Sequence, residues 1–78
     1  MGKFYTANEE FKNYLVEAGF TFHDREEEDV HYFTEHNTGK QVKVDTKKNL
    51  VTLLDKLGKI ESESSSFTDN QIIKFLAK

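Results

Sequence analysis

Apolar residues recur along this chain with two periods, and the places where one gives way to the other mark its elements. Phe11, Tyr14, Leu15 and Ala18 stand at i, i+3, i+4 and i+7, the stripe that one face of a helix presents to a core. Ahead of them Thr6 and Glu9 have the spacing of a capping box, in which each side chain satisfies an orphan amide. Behind them Gly19 stands where a left-handed residue ends a helix. A first helix is therefore predicted from about Ala7 to Ala18. Beyond Gly19 the period falls to two, with Phe20 and Phe22 on one face of a short strand and Thr21 and His23 on the other. The run Asp24 to Asp29 follows, an unbroken series of charges that reads as a solvated loop.

Val30 to His36 and Lys40 to Asp45 read as a hairpin joined by Asn37-Thr38-Gly39, whose glycine can take a positive φ. A connection of that length sets His36 opposite Lys40. It then pairs Thr34 with Val42, Tyr32 with Val44, Phe33 with Lys43 and His31 with Asp45. Val30, Tyr32, Val42 and Val44 fall on the core side in this register, and His31, Phe33, Glu35, Gln41, Lys43 and Asp45 on the wetter one. Leu50, Leu53, Leu54 and Leu57 return to the helical spacing before Gly58, which predicts a second helix from about Thr46 or Asn49 to Leu57. Lys59 to Ser66 is polar and reads as a linker. Thr68 and Gln71 repeat the capping-box spacing, flanked by Phe67 and Ile72 in the positions of a hydrophobic staple, so a third helix is expected from Asp69 to about Ala77.

The predicted order is α-β-β-β-α-α. Three antiparallel strands with amphipathic helices on one face make a two-layer α+β domain, because each helix must bury its stripe and the sheet offers one apolar face. One domain is expected over residues 1–78, with its core at 7–58, a linker at 59–67 and a C-terminal helix at 68–78. The opposite sheet face, carrying His31, Phe33 and Lys43, is the first place to look for function.

Composition narrows the classes. A chain of 78 residues holds one small core, too small for a large cofactor enzyme, and 36% apolar residues suffice to build it. Cysteine is absent, which removes disulfides, thiolate zinc sites and a cysteine nucleophile. No apolar run approaches the ~20 residues of a membrane span, and no hydrophobic leader is seen, so a cytoplasmic protein without membrane partners is expected. The net charge of -3 is unevenly spread. Residues 1–30 hold eight carboxylates against three basic residues, whereas residues 31–50 hold four lysines against two carboxylates. Nothing points to DNA, and only this short basic stretch suits RNA.

Two stretches carry a family resemblance. Leu15-Val16-Glu17-Ala18-Gly19-Phe20 resembles the helix-end LxxxGF of the HicA (YcfA-like) toxins of prokaryotic toxin–antitoxin systems. His31-Tyr32-Phe33-Thr34-Glu35-His36-Asn37-Thr38-Gly39-Lys40-Gln41-Val42-Lys43-Val44 resembles that family's histidine, hydrophobic strand, second histidine, turn glycine and Val-x-Val strand. The likeness covers roughly residues 8–58. It implies a double-stranded-RNA-binding-like α-β-β-β-α fold, endoribonuclease activity on mRNA, His31 as the catalytic residue and an antitoxin as protein partner. Asp29 and Val30 precede His31 where the family has Gly and Ser.

The residues themselves admit two readings at each position. His31 is a general acid or base for attack by a 2′-hydroxyl, with Asp45 across the hairpin orienting its ring, or an ordinary cross-strand polar residue. Lys40, Lys43 and Lys47, with Lys48, are phosphate contacts beside a base stacked on Phe33, or a solvated hairpin. No HxxxH, HxH or HxxE spacing falls on a predicted helix, so neither metal nor cofactor is expected. The leading expectation is an RNA-interacting domain of HicA type. The alternative is a non-catalytic protein-binding module of a phage or mobile element, acting through its acidic loop or its open sheet face.

Overall fold

Strand-forming sequence extends further than these periods suggest. The computed structural model describes residues 4–23 and 28–77. Its elements are β1 (Phe4–Thr6), α1 (Glu9–Glu17), β2 (Phe20–His23), β3 (Val30–Glu35), β4 (Gln41–Asp45), β5 (Leu50–Leu54), β6 (Ile60–Ser64), β7 (Ser66–Thr68) and α2 (Asp69–Ala77). Strands β2 to β6 form one antiparallel sheet in sequence order, and β1 pairs with β7 in a separate ribbon. The fold is α+β, but its sheet has five strands rather than the expected three, and the element order departs from the α-β-β-β-α plan implied by the HicA resemblance.

Two misread segments account for the additional strands. Leu50 to Leu54 is a strand, not the start of a helix reaching Leu57. Its centre, Val51-Thr52, is β-branched, and turns close it on both sides. The Asp45 carboxylate accepts the Lys47 and Lys48 amides before it, with Asn49 at φ 55° completing the reversal. The Asp55 carboxylate accepts the Leu57 and Lys59 amides after it, leaving Leu57 85% exposed. The presumed linker 59–67 holds β6, whose residues pair with β5 through an irregularity at Leu53/Leu54, and the first two residues of β7.

The β3–β4 register is also one residue from the expected one. Phe33 stands opposite Val42, His31 opposite Val44 and Tyr32 opposite Lys43. The cause is the turn. Glu35, not His36, is the last paired residue, its amide donating to the Lys40 carbonyl and its carbonyl accepting the Gly39 amide. Its carboxylate folds over the loop and accepts the Asn37 amide, the Thr38 amide and the Thr38 hydroxyl at 2.9, 2.7 and 2.9 Å. The loop thus holds four residues, and because side chains alternate with period two, the slip sends Phe33 inward and Tyr32 outward. Gly39, at φ 75°, supplies the left-handed residue that the loop needs.

The Thr38 amide above all, with the Asn37 amide and the Thr38 hydroxyl, holds the Glu35 carboxyl below its ordinary pKa against the opposing effect of burial. Because the folded value is the lower one, this contribution to stability is complete above the unfolded value of about 4.3 and is lost as pH falls through the folded value. Thermal midpoints measured from pH 7 down to pH 2 should therefore fall less in Glu35→Gln than in the parent. Equal acid sensitivity of the two proteins would contradict the role given to this carboxylate.

Both helices lie on one sheet face. Phe11 and Leu15 of α1, and Ile72 and Phe75 of α2, join Phe20, Phe33, Val42, Val44, Val51, Leu53 and Phe67 in a single core cluster. Helix α2 begins as its sequence predicts, with the Gln71 amide donating to the Thr68 hydroxyl and the Gln71 side-chain oxygen accepting the Thr68 amide. Helix α1 begins two residues later than predicted. Asn8 is its cap and accepts the Phe11 amide, while Thr6 belongs to β1. Asn8→Ala is expected to cost about 1 kcal/mol in urea unfolding, and a loss confined to Thr6→Ala would reassign the cap.

Candidate functional site

Since each strand alternates, register decides which predicted site residues share a surface. His31 and Phe33 lie on the helix side of the sheet, where Phe33 is 1% exposed and part of the core. It has no face free for a nucleobase. Lys43 lies on the opposite face, between Tyr32 and Thr52, and the Thr52 hydroxyl donates to the Glu63 carboxylate at 2.7 Å. Asp45 also faces away from His31, opposite Val30 and Leu50, with its carboxylate engaged by the turn amides of Lys47 and Lys48. It does not orient the imidazole. Lys47 is exposed in that turn, at the other end of β4 from Lys40.

Lys40 has a structural environment. The residue is 8% exposed and its ammonium donates to the Phe75 carbonyl in the last turn of α2. It also lies 4.9 Å from the Phe75 ring centroid and 3.8 Å from the Glu61 carboxylate. A cation is favoured at a helix C-terminus, where the last carbonyls have no intrahelical partner. The proposed phosphate contacts Lys40, Lys43 and Lys47 therefore occupy three separate places.

His31 instead meets α1. Glu9, Lys12, Asn13 and Val16, at i, i+3, i+4 and i+7, form one wall of a groove whose other side is Phe22, His31 and Phe33, enclosing 230 Å³. This is a second stripe on the helix, mostly polar and legible in the same spacing that marks the core stripe. Phe22 bridges the sheet side, its ring 5.8 Å from His31 and 5.4 Å from Phe33. Lys12 is 2.8 Å from Glu9 and, by this hydrogen bond and its charge, holds the Glu9 carboxyl below its ordinary pKa. Val16 and Phe22 remain 55% and 47% exposed.

A second concavity of 520 Å³ lies at the far end of the sheet, where Thr38, Lys40, Asp55, Lys56, Leu57, Lys59, Ile60 and Glu61 meet between two turns. Among the described residues no cluster of His, Asp or Glu is placed to hold a metal ion, and no helix is long and apolar enough to cross a membrane. Residues 24–27 of the acidic run lie outside the described residues. No protein family, curated protein or solved structure matches this chain.

Proposed function

We propose that this domain is a non-catalytic protein-binding module whose contact surface is the groove between α1 and β2. The observation that carries this reading is the exposure of Val16 and Phe22 on facing walls, beside the polar side chains of Glu9, Lys12 and Asn13. Apolar groups bordered by polar ones are the pattern of a protein contact. At 230 Å³ the groove lies below the ~300 Å³ at which small-ligand sites begin, and suits one or two side chains. The test is selection of displayed random dodecapeptides on the purified domain, followed by titration of the best synthetic peptide. Phe22→Glu and Val16→Glu should each weaken binding by about tenfold or more with the circular dichroism spectrum unchanged. Failure to enrich any peptide, or indifference to both substitutions, overturns the reading.

RNA contact is the second reading, favoured by the exposed Lys56 and Lys59, which both line the larger cleft. It requires binding of single-stranded RNA whose affinity falls with salt at a log-log slope of about -0.7 per phosphate. Growth arrest on expression that disappears in His31→Ala, together with RNA cleavage, would put the HicA-type activity first.

A further inference from the structure

The five-stranded sheet has two outer strands, and they are built differently. Strand β6 carries Glu61 and Glu63 and the register irregularity opposite Leu53/Leu54, both devices that discourage another chain from pairing. Strand β2, Phe-Thr-Phe-His, has neither charge, proline nor bulge, and Thr21, Phe22 and His23 are exposed.

The direction of its backbone groups follows from the ladder. The Gly19 carbonyl accepts the His36 amide, and hydrogen-bonded pairs alternate in an antiparallel ladder. Thr21 and His23 therefore bond to β3, leaving the Phe22 amide and carbonyl directed to the outer edge. Its side chain lies over the groove of α1. One residue thus offers an incoming strand both a main-chain pair and an apolar contact.

We infer that the partner binds by strand addition: an extended segment of another protein pairs with β2 as a sixth strand, placing an apolar side chain beside Phe22 and basic residues beyond His23. The inference rests on the protein-binding reading above. Charge chooses the occupant. Glu28 and Asp29 precede β3 at the end of the sheet next to His23, and the chain carries -3 overall, so a basic segment is attracted there. A second copy, bringing the same net charge, is repelled. Main-chain pairing supplies affinity and the Phe22 contact supplies specificity, the division of labour usual in strand addition.

The test uses the best peptide from the display selection, resynthesised with N-methyl groups on alternate backbone amides in two complementary versions. One version should lose affinity by about tenfold or more while the other retains it. Amide exchange at Phe22, read by NMR on the full domain, should slow by a similar factor on binding. Replacing the peptide's basic residues with Glu should abolish binding at low salt. Binding that ignores both N-methyl patterns and leaves the Phe22 amide unchanged overturns strand addition while leaving the protein-binding reading intact. Absence of any peptide binder removes both. A concentration-dependent dimer that protects the Phe22 amide without peptide overturns the choice of partner in favour of a second copy.

Discussion

Phe33→Ala is expected to remove about 3–5 kcal/mol of stability, a large fraction of the roughly 4–12 kcal/mol usual for a domain of this size. Tyr32→Ala, one residue away, should cost about 1 kcal/mol or less. Phe33 is almost fully enclosed in the core, across the ladder from Val42, so loss of its ring removes close-packed contacts. Tyr32 lies on the face turned from the helices, opposite Lys43. Urea unfolding of the two variants, followed by circular dichroism, distinguishes the registers directly. The reverse ranking would restore the register in which Tyr32 points inward.

The second large effect is expected at Lys40. Lys40→Met keeps a long apolar stem against the Phe75 ring but removes the charge from the end of α2, and should cost about 2 kcal/mol. Lys43→Met should stay within about 0.5 kcal/mol, since that residue is half-exposed on the open face. The same unfolding measurement reads both. If Lys40→Met were as stable as the parent and lost affinity for RNA, the lysine would be a phosphate contact after all, and the second functional reading would gain.

These two residues also show where the sequence was legible and where it was not. Elements with local signals were readable: the capping box and staple of α2, the alternation Phe20 to His23, and the stripe on α1 all depend on near neighbours. The hairpin register depended on a carboxylate reaching forward over its own turn, and Glu35 carries no turn signature comparable to Asn or Gly. The leucines from 50 to 57 satisfied the helical period, yet a strand also buries such a run when turns bracket it, as the carboxylates of Asp45 and Asp55 do here. Strand β6 was illegible for a different reason. It is an edge, and polar alternation of Glu and Ser is what an edge requires. For the candidate site, the sequence puts His31 on the open sheet face, whereas the one-residue slip of register turns it to the helix side, where it lines the groove. Its neighbours Glu9, Lys12 and Phe22 come from other elements, and their meeting is a property of packing.

The ribbon of β1 and β7 has a consequence for the time course of folding. Every pair in the main sheet joins strands adjacent in sequence, so each hairpin closes a short loop, whereas Phe4 meets Thr68 only after nearly the whole chain has been gathered. Each ribbon strand leads into a helix, so α1 and α2 are oriented by the same late closure. Substitutions in the turns of the meander are therefore expected to slow folding. Substitutions at Tyr5 or Phe67 should act almost entirely by speeding unfolding, which makes this distant handshake a determinant of how long the folded state lasts.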